Sequence, residues 1–226
     1  MEEVMGAVAD GTADEAARDC LGRDCLVRRL GRVEYGPTRD AMRSFTAARD
    51  AAARDELWLL EHEPVYTLGQ GAPETHGPRI DSGIPLVKAE RGGDVTYHGP
   101  GQLVLYALVD IGRRRISVKR FVQLLEQSVI DLLADLGIQG ARKPGAPGVY
   151  VEGEKIAALG IRVARGRTYH GLALNVDMDL APFEAIDPCG DAALKVTQLR
   201  ALGVRQSLES VGTRLAAILQ EHLTRG

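Results

Sequence analysis

Apolar residues recur at helical spacing in three segments of the chain. The first predicted helix spans residues 38–56, the second begins after Ser117, a suitable N-cap, and ends at Gly137, and the third starts at Ser207. Such stripes are typical of helices that pack one side against a core. The predicted apolar faces consist, in turn, of Ala41, Met42, Phe45, Ala48 and Ala52; of Val118, Phe121, Val122, Leu125, Leu132 and Leu136; and of Leu208, Val211, Leu215, Ile218 and Leu219.

Short apolar runs between these helices predict the strands. The first strand begins at Cys25, and residues 57–60 form a buried strand that Pro64 confines to an edge or a bend. Two further strands, at residues 85–87 and 103–109, flank a glycine-rich stretch. The runs 149–151, 155–163 and 167–176, separated by turn residues at 152–154 and 164–166, predict an antiparallel meander.

The glycine-rich stretch is residues 91–102, Arg-Gly-Gly-Asp-Val-Thr-Tyr-His-Gly-Pro-Gly-Gln, and four of its twelve residues are glycine. Glycine lets a ligand approach the main chain, and polar side chains lie among these glycines. Two interpretations are open: the wall of a binding pocket between two core strands, or a hairpin whose polar residues satisfy their own turn. The preceding loop, residues 69–85, is rich in glycine and proline, and we expect that it can move over a pocket.

Composition narrows the class of protein. The chain has 226 residues, of which 45% are hydrophobic, and a formal net charge of −3. Because nucleic-acid and anionic-membrane binders need a basic surface excess, we expect neither partner. The uncharged runs are too short to span a bilayer, so the sequence predicts a cytoplasmic protein. Residues 1–24 show no sustained apolar period and are expected to be a mobile extension, with residues 25–226 forming one domain.

Cysteine and lysine supply the candidate chemistry. Cys189 stands between Pro188 and Gly190, which suits a nucleophilic thiol displayed on a turn, although a buried turn cysteine is the alternative. His98, His170 or Lys155 are candidate activators of that thiol, but a strand-end lysine is commonly solvated. Neither CxxC nor a Cys/His cluster with zinc spacing occurs, so no metal site is expected.

Two other features allow a functional and a structural interpretation. His62, at the end of a predicted strand, is either a ligand contact or a hydrogen-bonded structural residue, and the second is the commoner case. The basic run Arg113-Arg114-Arg115 is either a dock for an acidic protein or phosphate, or a solvated loop.

Six motifs in order resemble one known family. They are residues 60–69 (Leu-Glu-His-Glu-Pro-Val-Tyr-Thr-Leu-Gly), residues 91–102, residues 145–150 (Gly-Ala-Pro-Gly-Val-Tyr), residues 155–162 (Lys-Ile-Ala-Ala-Leu-Gly-Ile-Arg), residues 170–175 (His-Gly-Leu-Ala-Leu-Asn) and residues 183–190, ending Ile-Asp-Pro-Cys-Gly. Together they resemble the lipoyl(octanoyl) transferases, and the resemblance covers about residues 25–220. Each motif alone is weak, but all six in family order make chance agreement very unlikely.

The resemblance implies a fold and a reaction. The implied fold is a single α/β (α+β) domain of the biotin/lipoate protein ligase type, with a mixed, largely antiparallel sheet flanked by helices. The implied reaction moves an octanoyl group from octanoyl-acyl carrier protein to Cys189 as a thioester, with Lys155 as its catalytic partner, and then to a specific lysine. The implied acceptors are lipoyl domains of 2-oxoacid dehydrogenases and the glycine-cleavage H protein, and no cofactor is implied.

The resemblance also implies a set of substrate-binding residues and leaves His98 a positioning role. Small residues in this set leave a slot for an eight-carbon chain, and main-chain N–H groups can hold the thioester oxygen. If both partner proteins are acidic, Arg113–Arg115 become a candidate dock, and a monomer is expected. The implied substrate-binding residues are Arg91, Gly92, Gly93, Asp94, Val95, Thr96, Tyr97, His98, Ala158, Leu159, Gly160, Gly171, Leu172 and Ala173.

Two other functions compete with this one. An ATP-dependent ligase for lipoate or biotin shares the fold and the lysine-modifying outcome but needs no cysteine. A non-catalytic module that binds carrier protein needs neither Cys189 nor Lys155. Because both residues are present, the transferase interpretation is favoured.

Overall fold

The structure, a computed structural model, describes residues 25–80, 82–187 and 194–225. The predicted mobile extension and the Pro188-Cys189-Gly190 turn lie outside the described residues. Within the described ranges the chain forms ten strands and three α-helices, joined by two short 3₁₀ turns, Glu74–His76 and Ala181–Ala185. The strands are β1 Leu26–Val33, β2 Glu56–His62, β3 Val65–Leu68, β4 Leu86–Lys88, β5 Val95–His98, β6 Gln102–Leu108, β7 Ala141–Lys143, β8 Ala146–Val151, β9 Glu154–Ala164 and β10 Arg167–Asn175; the helices are α1 Tyr35–Ala48, α2 Val118–Asp135 and α3 Leu208–Arg225.

The strands form a large and a small sheet. The large sheet has the order β1-β2-β6-β10-β9-β8-β7, and the small one has the order β4-β3-β5. In the large sheet only β1 and β2 pair in parallel, and the other pairs are antiparallel. The predicted mixed, largely antiparallel sheet and the β8-β9-β10 meander are therefore confirmed.

The large sheet has two different faces because successive side chains of a strand point to opposite sides. The helix-packed face, which contacts α2 and α3, carries Leu57 and Leu59 of β2, Leu103 and Leu105 of β6, and Leu172 and Leu174 of β10. The opposite face, here called the cleft face, carries Trp58, Val104, Tyr106 and Ala173 and packs against Met42 of α1. No helix in the described ranges is long and apolar enough to cross a membrane.

Helices α2 and α3 follow the predicted pattern closely. The Ser117 side chain accepts a hydrogen bond from the Arg120 N–H at 3.2 Å, as expected of an N-cap, and Gly137 has a φ of +76° just beyond α2. Leu125 and Leu215 are fully buried. Val118 was wrongly assigned to the apolar face, since it is 47% exposed at the first position of α2.

Helix α1 differs from the prediction at both ends and in its face. It begins at Tyr35, because a proline in the first helical turn displaces no hydrogen bond, and it ends at Ala48 instead of continuing to residue 56. Beyond that end, the Asp50 carboxylate accepts hydrogen bonds from the Ala52 and Ala53 N–H groups and forms a turn. The buried residues are Tyr35, Thr38, Met42 and Thr46, whereas the predicted Ala41, Ala48 and Ala52 are exposed.

The glycine-rich stretch is more regular than predicted. Val95–His98 form strand β5, which pairs antiparallel with β3. The strand that precedes the stretch, β4, is an edge strand in which Leu86 is 42% exposed, so the stretch joins one edge strand and one core strand, β6, rather than two core strands.

The first two arginines of the basic run at residues 113–115 are bonded within the protein. At these two positions the run is therefore neither a solvated loop nor a dock. Arg113 donates to the Asp55 carboxylate at 2.8 Å, and Arg114 donates to it at 2.7 Å. Asp55 is buried and also pairs with Arg49. Burial alone would raise the pKa of Asp55, but the Asp110 N–H and the side chains of Arg49 and Arg114 lower it below its ordinary value. The run therefore holds the segment that precedes α2 to the start of β2.

Candidate functional site

A cleft lies between the cleft face of the large sheet and strand β5 of the small sheet. It collects Lys155 and all of the predicted substrate-binding residues except Gly92 and Tyr97. Gly92 instead donates its N–H to the Ile161 carbonyl at 3.0 Å, which fastens the glycine-rich stretch to β9. Tyr97 is buried, and its ring packs against Tyr66 and Phe183.

The floor of the cleft consists of small residues because the strands are in register. Ala158 of β9 pairs with Ala173 of β10, and Gly160 pairs with Gly171. A methyl group built on Gly171 would lie 2.1 Å from the Leu105 carbonyl oxygen, so this glycine is required by the sheet itself. Together the four residues leave a shallow trench across the two strands.

Arg91 and Asp94 shape the cleft wall through contacts within the protein. The Arg91 guanidinium is buried and donates to the Thr67 carbonyl at 2.7 Å and to the Thr67 hydroxyl at 2.8 Å. Asp94 pairs with His76 of the predicted mobile loop at 2.8 Å. Arg79 of the same loop pairs with Asp187, so the loop is tied both to the glycine-rich stretch and to the chain just before residue 188.

Lys155 is buried, so the alternative of a solvated strand-end lysine does not hold. Its side chain lies in the cleft, and its ammonium nitrogen is 3.3 Å from the Pro147 carbonyl oxygen and 5.3 Å from the centre of the Tyr150 ring. Its backbone forms a parallel bridge with Val196: Lys155 donates to the Lys195 carbonyl, and Thr197 donates to the Lys155 carbonyl. The described chain that follows residue 193 is therefore bound directly to Lys155.

Three histidines near the cleft are held neutral. Burial lowers the pKa of His62 to about 4, and burial, with further lowering by neighbouring cationic groups, brings the pKa of His98 and of His170 to about 3. Both ring nitrogens of His62 have partners within the protein, the Val33 carbonyl and the Tyr106 hydroxyl. These contacts support a structural residue rather than a ligand contact. His170 has a φ of +62°, and its Nε2 atom, 3.9 Å from Glu90, has no hydrogen-bonding partner in the described chain.

Several cleft residues received no role from sequence reasoning. Gln102, Tyr106 and Asn175 line the cleft, as do Val104, Phe183 and Val196. The sequence contained a signal that two of them belong to a site, because the amides Gln102 and Asn175 stand at the ends of apolar runs. Buried amides need hydrogen-bonding partners, which makes such positions candidates for a site. Within the described ranges no group of three metal-ligating side chains occurs.

Similarity to known proteins covers most of the chain. The model of the lipoyl protein ligase A/B catalytic domain matches residues 40–220. An octanoyltransferase of Azoarcus sp. (strain BH72) is 56% identical over 98% of this chain and 96% of its own length. An octanoyltransferase of Aromatoleum aromaticum is 58% identical over 88% of this chain and 85% of its own length.

Solved structures share the fold at low sequence identity. A lipoate-protein ligase A bound with ATP superposes with a TM-score of 0.71 at 15% identity, over 90% of this chain and 93% of that one. A biotin protein ligase from Aquifex aeolicus in complex with biotin and ATP has a TM-score of 0.58 at 15% identity, over 88% of this chain and 71% of that one. These confirm the expected α/β fold, and the extensive identity to the curated relatives shows that the chain belongs to the octanoyltransferase family, with a catalytic domain of the lipoyl protein ligase A/B type.

Proposed function

We propose that this protein transfers an octanoyl group from octanoyl-acyl carrier protein to Cys189, and from Cys189 to one lysine of a lipoyl domain or of the glycine-cleavage H protein. Residues 25–226 form the catalytic domain, acting as a cytoplasmic monomer. The observation that carries the proposal is the burial of Lys155 in a cleft floored by small residues, in a chain more than 50% identical to octanoyltransferases.

The first step exchanges one thioester for another. The Cys189 thiolate attacks the octanoyl carbonyl carbon, a new C–S bond forms, and the bond to the carrier protein's sulfur breaks. The Lys155 ammonium favours the thiolate form of Cys189 and gives a proton to the departing thiolate. Since one thioester replaces another, the step is nearly balanced in free energy.

The second step forms an amide. The amine of the target lysine attacks the thioester carbon, a C–N bond forms and the Cys189 C–S bond breaks. The amine of Lys155, deprotonated in the first step, accepts the proton that the attacking nitrogen loses. The pair therefore returns to its starting charge, and the greater stability of the amide drives the reaction.

The cleft residues bind the octanoyl chain and the reacting carbonyl. Ala158, Gly160, Gly171 and Ala173 leave room for an unbranched chain, while Leu159 and Leu172 belong to the same lining. The neutral His98 holds its place in the wall and takes no proton, since its pKa of about 3 leaves it a poor base at neutral pH.

A ligase that activates lipoate with ATP is the second candidate, because a lipoate-protein ligase A bound with ATP shares the fold. The two functions differ in their need for ATP and for a cysteine. Intact-mass measurement after mixing the protein with octanoyl-acyl carrier protein, without ATP, separates them. We expect a single octanoyl adduct on the wild type and none on Cys189→Ser.

Two results would contradict the transferase. One is an adduct that forms only when ATP and free octanoate are supplied, and the other is an adduct that persists undiminished in Cys189→Ser. A Cys25→Ser variant is the matched control, because Cys25 is a buried thiol packed against the helix-packed core. It should carry the adduct as the wild type does.

The role of Lys155 is tested by the alkylation of Cys189. We expect Lys155→Ala to move the onset of alkylation by iodoacetamide to higher pH, because the thiolate loses a neighbouring cation. Lys143→Ala is the control, since Lys143 lies over the same Tyr150 ring but is exposed. An unchanged alkylation profile in Lys155→Ala would show that Lys155 does not stabilise the thiolate.

A further inference from the structure

Two buried amides connect the glycine-rich stretch to the backbone beside Lys155. Gln102 is 1% exposed and Asn175 is 5% exposed, and both line the cleft. Gln102 Nε2 lies 3.0 Å from Asn175 Oδ1, and Asn175 Nδ2 lies 2.9 Å from the Thr197 carbonyl oxygen. These bonds cross from β6 through β10 to the segment that follows residue 193.

Backbone carbonyls at each end set the direction of this amide pair. The carbonyl of Thr197 can only accept, so Asn175 must present its NH₂ group there and its oxygen to Gln102. The carbonyl of Tyr97, 3.2 Å from Gln102 Nε2, can likewise only accept. The Gln102 oxygen is left to face His98 Nδ1 at 2.7 Å, so this nitrogen carries the proton in the neutral ring.

The pair acts on Lys155 through the backbone. The side chain of Asn175 donates to the Thr197 carbonyl, and the backbone carbonyl of Asn175 accepts the Leu199 N–H at 3.1 Å. Thr197 donates to the Lys155 carbonyl at 3.0 Å, and Lys155 donates to the Lys195 carbonyl at 2.9 Å. Loss of the Asn175 side-chain donor would therefore remove one of the bonds that hold the segment beside Lys155.

We infer that Gln102 and Asn175 are positioning residues, which hold the chain that follows the Cys189 turn against Lys155 and thereby keep the cysteine and the lysine in reacting geometry. The inference rests on the proposed function. The burial of the two amides is explained by this task, because an apolar residue of similar size would satisfy the sheet without ordering the segment at Thr197.

The test uses isosteric variants that keep volume and remove a donor. Asn175→Asp places an oxygen against the Thr197 carbonyl, and Gln102→Glu places one against the Tyr97 carbonyl. We expect each to slow formation of the octanoyl-enzyme by roughly 10- to 100-fold, with KM for octanoyl-acyl carrier protein changed by less than about threefold, because a small displacement of reacting groups has effects of this size. We also expect Cys189 alkylation to begin at higher pH, as in Lys155→Ala. This readout is taken from Asn175→Ser as well, because that variant adds no negative charge beside the cleft.

Gln220→Glu is the matched control. Gln220 makes the same kind of bond, donating to the Cys25 carbonyl at 2.7 Å, but it lies on α3 beyond the helix-packed face. It should lower the melting temperature to a similar extent and leave the adduct rate and the alkylation profile unchanged. If Asn175→Asp does not fold, Asn175→Ser, which keeps a shorter donor, replaces it with the same readouts and a smaller expected loss.

The outcomes separate this inference from the proposed function. A wild type that forms no octanoyl adduct disproves the function, and the alkylation profile still measures whether the amides act on the cysteine–lysine pair. If the variants change only the melting temperature, as Gln220→Glu does, with rate and alkylation pH intact, the amides are structural and the inference is overturned.

Discussion

The two faces of the large sheet are made by the same strands and have opposite character. On the helix-packed face, Leu103 and Leu105 of β6 lie under α2 and α3. On the cleft face, β6 contributes the alternate residues Gln102, Val104 and Tyr106, and β10 contributes Ala173 and Gly171. One face is filled by close-packed leucine, and the other is left partly open by glycine, alanine and buried polar groups.

The difference indicates where stability and function are placed. Burial of large aliphatic side chains is the main source of folding free energy, whereas buried amides and histidines are costly unless they are bonded. The cleft face accepts such groups because the helix-packed face compensates for them. Changes on the first face should therefore alter stability without altering the reaction, whereas changes that displace groups in the cleft should alter the reaction beyond their effect on stability.

The largest effect on stability is expected from Leu125→Ala on α2. Leu125 is fully buried against the helix-packed face, so its truncation leaves a cavity and should lower the free energy of unfolding by about 2–5 kcal/mol. The kcat of the protein that remains folded should be unchanged. Urea unfolding and octanoyl-transfer assays at a temperature where the variant is folded provide the two measurements.

Val118→Ala on the same helix is the control for Leu125→Ala. Val118 is 47% exposed, and its truncation should change the free energy of unfolding by less than about 0.5 kcal/mol. A loss of kcat in Leu125→Ala without a loss of stability would show that the two faces are not separate in function.

Sequence reasoning succeeded where local periodicity determines burial. The Leu125 and Leu215 stripes follow from 3.6-residue spacing, and the β8-β9-β10 meander follows from its turns. It failed where a partner distant in sequence decides the outcome. Arg113 is bonded within the protein rather than solvated because it pairs with Asp55, which lies 58 residues earlier, and nothing near the arginine run indicates this.

The residues of the cleft were predictable only in part, because some are recognisable from local sequence and others depend on distant partners. The glycine-rich stretch and the small residues of β9 and β10 are visible in the sequence, and the structure brings most of them into one cleft. Sequence spacing left open whether Lys155 is buried or solvated, because the cleft that buries it is lined by residues of several other strands. The role of the Cys189 turn remains a prediction from sequence.

After Leu125→Ala, the next largest effect on stability is its loss in acid, which the buried neutral histidines near the cleft cause in part. In the unfolded chain a histidine has a pKa of about 6.5, whereas the folded value for His62 is about 4. Between these values the unfolded state binds more protons, so stability present above pH 6.5 is lost as the pH falls toward 4. From pH 7 to pH 5, His62 alone should account for a loss of about 2 kcal/mol.

His62→Gln measures that contribution. The variant is less stable at pH 7, because the bonds to Val33 and Tyr106 are altered, but its stability should fall by about 2 kcal/mol less than that of the wild type between pH 7 and pH 5. Urea unfolding at the two pH values gives both numbers. Equal losses in the two proteins would mean that His62 does not carry a depressed pKa.

The most specific effect on the reaction is expected from Gly148→Ala on β8. Gly148 has a φ of +145°, and a methyl group there would lie 3.0 Å from Lys155 Cε and 2.8 Å from the Ala157 carbonyl oxygen. The strained backbone and the contact should cost roughly 1–3 kcal/mol. The displaced lysine should reduce the rate of octanoyl transfer by about 100-fold.

Gly145→Ala separates the backbone strain from the displacement of Lys155. Gly145 has a φ of +77°, but a methyl group there would meet nothing within 4 Å. It should destabilise the protein by about 1 kcal/mol through strain alone and leave octanoyl transfer unchanged. If both variants lose the same stability and both keep full activity, the rate of octanoyl transfer does not depend on the exact position of Lys155. If only Gly148→Ala loses activity, a single methyl group on the cleft face has changed the reaction more than a cavity in the leucine core.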